Sequence, residues 1–319
     1  MRFKFLRMFK FIMKRLGYTV FVLLGVSFLT FSLLHIAPGS PARLLLHDAA
    51  TEEQVRELEI EMGLDRPFLV QYFSYVTGVV RGDLGTSFFF GIPNSTLIMQ
   101  RLPATIYLTL MSMLIALIIA VPIGIIAGVR HGSLTDFFAM GFAILGQSIS
   151  NVVLGLVFIL IFAVSLGGLL PSMGFGGMGL RGLPFVIMPA TSLATSFAAL
   201  ITSMLRSGMM DVLKEDYITA TYAKGISKHT IIWKYALRNA SLPAITVIGL
   251  QVGTFLGGAV VTEQIFGWPG IGTLTVQAIG LRDFSLVQSI LLVTSACFVM
   301  VNLLVDIIYT IVDPRMSLN

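Results

Sequence analysis

Apolar and polar stretches alternate along this chain with the spacing of helices, and the apolar stretches are long. Residues 17–37 stay apolar for about the ~20 positions a helix needs to cross a bilayer. Further runs near 104–128, 137–166, 183–205, 242–261 and 284–311 repeat the pattern, which predicts six spans in an all-α integral membrane protein. The segments are then an N-terminal stretch 1–16, a first span 17–37, a polar segment 38–100 and a helical membrane domain 101–311. Arg2, Lys4, Arg7, Lys10, Lys14 and Arg15 crowd the start among phenylalanines. The apolar run behind them is too long for the core of a cleaved signal peptide, so it reads as a retained span. Pro38 and Pro41 are expected to stop it.

Inside the polar segment, Thr51 to Gly63 reads as a short amphipathic helix. Thr51 is its N-cap, Gln54 completes a capping box, and Val55, Leu58 and Met62 share one face. Gly82 and Gly85 predict tight turns, with Asp83 as a turn-side acceptor. A calcium loop there fails for want of ligands at alternate positions. The second span opens at Arg101 to Thr105. Pro122 is expected to kink it, and Gly124 with Gly128 forms a small-xxx-small face for close helix contact. Gln147, Ser148 and Asn151 lie midway along the third span, where polar groups either line a path or bond across helices. Gly249, Gly253 and Gly257 make a stripe on the fifth span, facing either this chain's own bundle or a second protein, and Gln251 among them is a candidate to face a path. Glu263 near that span's end is read as a substrate or gate contact, or else as a solvated interfacial carboxylate. Trp268, before Pro269 and Gly270, reads as an interfacial aromatic anchor on a turn. In the last span, Asp306 is expected to pair with a basic neighbour rather than to relay protons.

One polar interruption, Ser207 to Ser241, is too long and too charged for lipid. The run from Asp211 to Lys224 is rich in helix formers and ends at Gly225, a residue suited to a helix C-terminus. Ser227 is a plausible N-cap for a second piece, in which Ile231 with Tyr235, and Ile232 with Ala236, recur at i, i+4. Two short helices hinged at Gly225 would make a knob. Its tip, Ala220, Thr221, Ala223 and Gly225, is made of small residues that let another backbone approach closely. An ordinary loop between spans is the other reading.

Composition agrees with the pattern. Of 319 residues, 56% are hydrophobic and 12% charged, and the mean hydropathy is +0.90, far above a soluble domain. The net charge of +5 does not signal nucleic acid, because the bases form no patch with interleaved aromatics. Every lysine falls in 1–16 or in 207–241, whereas residues 42–102 lack lysine and carry an excess of acids. The positive-inside rule then puts both termini and the knob in the cytoplasm and 38–100 outside. Cys297 is the only cysteine, so no intramolecular disulfide can form.

At the knob the sequence resembles a family. TATYAKG followed by ALRNASLP resembles the EAA loop of ABC-importer permeases, in the form carried by the dipeptide, oligopeptide and nickel branch. Against the general pattern, Thr219, Ala220 and Thr221 take the three named positions and Gly225 the glycine; only the alanine and the glycine are kept, and the closing Leu-Pro falls late, at Leu242 and Pro243. GDLGTS at Gly82 to Ser87, HIAPGSP after the first span, EQIFGWPGIG from Glu263 and the VDPR ending extend the likeness over nearly the whole chain. The resemblance implies a six-span bundle of the type I importer permease fold in a bacterial inner membrane, with an extracytoplasmic segment between spans 1 and 2. It implies ATPase-coupling residues at Asp216, Tyr217, Thr219, Ala220, Thr221, Ala223, Lys224, Gly225, Ile226 and Ser227. It also implies a homologous second permease as heterodimer partner, two ATPase subunits that bind the ATP and Mg, and an extracytoplasmic binding protein that delivers peptide; glutathione and nickel chelates are the alternative cargoes. The segment 38–100 then either meets that binding protein or acts as a structural lid.

No nucleophile with a base and no clustered ligands point to an enzyme, since His35, His47, His131 and His229 are scattered. No GxxxxGK[ST] occurs, and no strand precedes the glycine run 172–182, so the chain itself holds no nucleotide cradle. An ion-coupled secondary transporter would need ionisable residues at the midplane and paired broken helices. Glu263 and Asp306 lie near span ends, and no internal repeat is evident.

Overall fold

The structure, a computed structural model, describes residues 2–36, 46, 51–61 and 63–312. The stops expected at Pro38 and Pro41, the face position of Met62, the partner of Asp306 and the terminal DPR fall outside the described residues or side chains. Among the described residues there is no strand, only an isolated bridge between Thr86 and Pro93. Among the described residues four helices are long and apolar enough to cross a membrane, or five if one bent pair counts as a single span. The chain divides into two units, residues 1–103 with 270–300, and 104–269 with 301–319.

In the first unit, α1 (Arg2–Ile36) packs on α3 (Phe68–Val80) through aromatic rings. Phe28 meets Tyr72 edge-on at 5.2 Å, and Phe31 stacks on Tyr75 at 5.6 Å. Between them α2 (Glu52–Glu61) carries the expected capping box: Thr51 N donates to Gln54 Oε1 at 3.0 Å, and Gln54 N to Thr51 Oγ1 at 3.3 Å. Val55 is buried on this helix. The first turns of α4 (Asn94–Val129), with α13 (Ile271–Gly280) and the start of α14 (Phe284–Val312), enclose a second cluster around Ile98, Ile271, Leu274 and Leu286.

The second unit is built around α7 (Leu183–Val212), whose apolar window is 67% buried against 28–33% for the windows of α4 and α14. Helix α4 approaches it through the glycine face that the sequence predicts. A Cβ on Gly124 would meet Leu205 Cβ at 3.0 Å, and one on Gly128 would meet Met209 Cβ at 2.5 Å and the Arg206 carbonyl at 2.9 Å. Without a hydrophobic difference between lipid and leucine, such backbone proximity is what brings helices together. On another side, Gly146 of α5 (Leu134–Ser148) lies against Ala199, where a Cβ would come within 2.8 Å. Gly249 of α11 (Leu242–Gly258) faces Val305 of α14, so at this position the glycine stripe meets the chain's own last helix.

The single span expected over 137–166 is two helices. α5 ends at Ser148, and α6 (Asn151–Phe158), extended by a π-helical stretch Ile159–Ser165, leaves at 103° to it. Ile149 and Ser150 are both extended, with ψ of 127° and 136°, and the Ser150 hydroxyl accepts from Val152 N at 3.3 Å, capping a new helix. The run expected at 242–261 stops at Gly258 and resumes as α12 (Val260–Ile265). In the other direction, α4 begins ten residues before Ala104, at Asn94, and remains helical through Pro103 and Pro122.

Replacing Gly128 by valine should cost about 1–3 kcal/mol through overpacking against Met209, read as a lowered midpoint in thermal unfolding of the detergent-solubilised chain. Gly141, on the same helix as Gly146, has nothing within 4 Å of a built Cβ, so Gly141→Ala should leave the midpoint unchanged or raise it.

Candidate functional site

The knob forms where the polar interruption leaves the membrane helices. Helix α7 runs on to Val212, past the expected break, and the chain turns at 213–215 into α8 (Asp216–Ala223). Asp216 sits in the first turn, where a carboxylate opposes the helix dipole. The helix buries Ile218, at 1% exposure, and Thr221, one turn apart. Ile218 joins a cluster with Ile125, Leu205, Met209, Ile231, Ala236 and Ala240, so α8 rests on the ends of α4 and α7. Thr221 Oγ1 donates to the Tyr217 carbonyl at 2.6 Å, and Asn239 Nδ2 donates to Tyr217 Oη at 2.7 Å.

The opposite face of α8 is open. Tyr217, Thr219, Ala220, Tyr222, Ala223, Lys224, Gly225 and Ser227 are all exposed, while Ile226 is half-buried. Thr221, expected at the tip, faces inward. Gly225 has φ +74°, the left-handed conformation in which glycine has no steric cost, and its N donates to the Tyr222 carbonyl at 3.0 Å. Ser227 then caps the next piece, its hydroxyl accepting from Thr230 N at 3.4 Å.

That piece is α9 (Lys228–Thr230), a π turn Ile231–Ala236 and α10 (Leu237–Ala240). The i, i+4 pairs expected to form its face are replaced by Ile231 and Ala236, both fully buried, because π winding brings residues five apart into line. Ile232 and Tyr235 pack beside them, half-buried. Gly208 of α7 closes the base, since a Cβ there would come within 2.6 Å of the Ala240 carbonyl.

The residues expected along a path are brought together in part. Gln147, Ser148 and Asn151 flank the 103° corner between α5 and α6. Gln147 Nε2 donates to the Ala143 carbonyl at 3.0 Å and Ser148 Oγ to that of Ile144 at 2.8 Å, whereas Asn151 Oδ1 is buried with no hydrogen-bond partner among the described residues. Gln251 is half-buried on α11. Glu263 is not solvated. It is fully buried, and Thr105 Oγ1 donates to its Oε1 at 2.6 Å. Trp268 is likewise buried rather than an interfacial anchor. Its Nε1 donates to the Ala104 carbonyl at 3.0 Å, and Tyr107 and Phe175 pack on its ring at 6.3 and 4.9 Å. The tryptophan turn thereby fastens α12 to the start of the second span within its unit, and Gly174 N of the glycine loop donates to the Phe266 carbonyl at 2.9 Å.

Two charged clusters escaped the sequence reading. Asp136, in the first turn of α5, receives both Nε and Nη2 of Arg206 from α7, the second at 2.9 Å, together with Gly132 N at 2.9 Å. His131 Nδ1 lies 3.0 Å from its Oδ2. In the other unit, Asp283 accepts from the Ser87 hydroxyl, from Phe88 N and Phe89 N at 3.2 Å and from Leu286 N at 3.1 Å. The GDLGTS segment is therefore tied to the beginning of α14. Gly82 and Gly85 make its turns at φ +86° and +79°, and Asp83 Oδ1 accepts from Gly85 N at 2.8 Å, as the spacing predicts. Among the described residues no three His, Cys, Asp or Glu gather as a metal site.

Residues 120–318 match the family described as binding-protein-dependent transport system inner membrane component, and residues 8–109 match the N-terminal membrane component of the same systems. The dipeptide transport system permease protein DppB of Alkalihalophilus pseudofirmus is 38% identical, over 97% of this chain and 100% of the relative. DppB of Escherichia coli K12 is 37% identical over 97% and 98%. The glutathione transport system permease protein GsiC of Salmonella typhimurium is 36% identical over 96% and 98%. In fold, the chain is similar to one from the MetNI methionine ABC transporter, with a TM-score of 0.55 over 68% of this chain and 96% of that one, at 17% identity.

Asp136 and the Arg206 that clamps it are exposed at only 7% and 17%. Asp136→Asn should therefore destabilise the chain by about 3 kcal/mol, leaving a desolvated guanidinium. Adding Arg206→Met should recover part of the loss, with the thermal midpoint of single and double variants as the measurement.

Proposed function

This chain belongs to the family of binding-protein-dependent transport system inner membrane components, and we propose that it forms half of the translocation pathway of an ATP-driven peptide importer in a bacterial inner membrane. The observation that carries the reading is the near end-to-end likeness to dipeptide permeases; the exposed face of α8, where Thr219, Ala220 and Ala223 stand beside Tyr217 and Tyr222, supports it because this stretch resembles the family's coupling loop. The chain is a multi-pass membrane component of a transporter. Bond chemistry belongs to two separate ATPase subunits that bind ATP and Mg. A homologous second permease completes the pathway, and an extracytoplasmic binding protein supplies cargo. The lysine distribution supports cytoplasmic termini and a cytoplasmic knob.

The geometry explains how such a knob can act. A motor pressing on α8 pushes through Ile218 into Leu205 and Met209 of α7, and a second point of attachment lies at Gly208 against Ala240. Helix α7 is in turn locked to α4 through Gly124 and Gly128, and to α5 through Gly146 and the Asp136–Arg206 pair. Displacement at the knob is thus delivered to three helices together, and the bundle exchanges one packed state for another rather than bending gradually. Gln147, Ser148 and Asn151, at the corner where α5 hands over to α6, are the polar groups of this unit best placed to line the route. The fully buried Glu263 acts by holding α12 against Thr105.

Glutathione is the second reading for the cargo, favoured by the likeness to GsiC permeases at nearly the same identity. Proteoliposomes containing the whole assembly should take up labelled dipeptide only with ATP and the binding protein, and unlabelled glutathione or a nickel chelate should compete poorly. Uptake by this chain alone on an ion gradient would overturn the importer reading. Gly225→Val should cut that uptake by about tenfold with unchanged protein in the membrane, since a β-branched residue is strained at φ +74°. Gly225→Asn should stay near wild type, because asparagine tolerates the left-handed region.

A further inference from the structure

In the first unit two cavities share Tyr75 in their walls. One, of about 320 Å³, is walled by Val20 and Leu24 of α1, Val76 and Val79 of α3, and Leu292 and Ala296 of α14. Its lining is aliphatic but for Ser27 and the shared Tyr75, and Ser27 Oγ is already bonded to Tyr72 Oη at 2.9 Å. The other, of about 370 Å³, is walled by Phe31, Gly63, Leu64, Arg66, Gln71 and Ser74, again with Tyr75. Along α3 the lining changes from the aliphatic Val76, Val79 and Val80 to the polar Gln71 and Ser74, with Arg66 just before the helix, whereas α1 adds Phe31 to the second cavity and no polar side chain.

The level of this change matters. The apolar window of α1 covers Arg15–Ser32, so the aliphatic cavity lies along its middle and the polar one at its end, where hydrocarbon gives way to headgroups; α3, within the segment 38–100 expected outside, is itself apolar and lies beside the middle of that window. Arg66 is held at that level by its loop. Gln71 Nε2 donates to the carbonyls of Leu64 and Arg66 at 2.9 and 2.8 Å, and Gly63 turns the chain there at φ +70°. The Arg66 side chain is exposed, and the neighbouring Asp65 does not line the cavity. A guanidinium is the side chain best matched to a phosphate, which it binds through paired N–H donors. An aliphatic groove the size of the smallest ligand pockets suits a single hydrocarbon chain.

We propose that these two cavities form one binding site for a phospholipid, with an acyl chain in the groove between α1, α3 and α14 and the headgroup phosphate on Arg66. A bound lipid would fill the space that the aromatic contacts of Phe28 and Phe31 leave between α1 and α3, and would make that packing depend on the surrounding bilayer.

Native mass spectrometry of the full chain during stepwise detergent exchange tests this, with phosphatidylglycerol as the probe and diacylglycerol of the same chains as the headgroup-free control. The wild-type chain should retain one phosphatidylglycerol and little diacylglycerol. Arg66→Glu should lower retention of the phospholipid about tenfold, as loss of one charge-assisted contact implies. Val79→Trp, which fills the groove, should abolish it, with the thermal midpoint confirming that both variants are folded and Arg66→Gln replacing the first if it is not. Equal retention of the two lipids, or retention untouched by Val79→Trp, would overturn the proposal. So would a photoreactive residue at Val79 that labels a second polypeptide in the membrane instead of lipid.

Discussion

Helices in a bilayer gain nothing by hiding apolar side chains from one another, so this chain must hold α7 in place by bringing backbones close. Everything in the second unit follows from that requirement. Gly124 and Gly128 admit Leu205 and Met209, Gly146 admits Ala199, and Gly208 admits the Ala240 carbonyl. Each is a place where even one methyl group would force a shift. A helix gripped at four glycines has few small displacements available to it, which suits a part that must move as a body or not at all.

Buried polar pairs add direction to that grip. Asp136 with Arg206, Glu263 with Thr105 and Asp283 with Ser87 each join a helix terminus or turn to another element at a defined point. An isolated carboxylate at such depth would be expensive, but one that accepts several N–H and O–H donors is held and holds its neighbours in turn. The three acids lie in stretches that the sequence presents as separate, and their partners stand 70, 158 and 196 residues away.

That distance explains what was legible beforehand. Features set by a few neighbouring residues could be read directly: the capping box of Thr51 and Gln54, the turns at Gly82 and Gly85, the left-handed Gly225, the Ser227 cap and the glycine face of α4. The resemblance around TATYAKG marked the knob, and the exposed face of α8 lies there. The corner at Ile149 and Ser150 left no trace, because neither residue is a helix breaker and the apolar run continues across it. Trp268 misled for a related reason: a tryptophan on a turn has the composition of an interfacial anchor, and only the opposing Ala104 carbonyl and the rings of Tyr107 and Phe175 make the site a buried one. The π turn over Ile231–Ala236 shifted a face that α-helical counting had placed one residue off.

The glycines of this protein do two different jobs, and Gly225 shows the second. Nothing lies within 4 Å of a Cβ built there, so its neighbourhood sets no limit on size. What φ +74° excludes is a hand rather than a volume. A mirror-image D-alanine at this position would sit in its own preferred basin and stiffen the turn instead of straining it, leaving the outward face of α8 intact while removing a freely adaptable joint beside it.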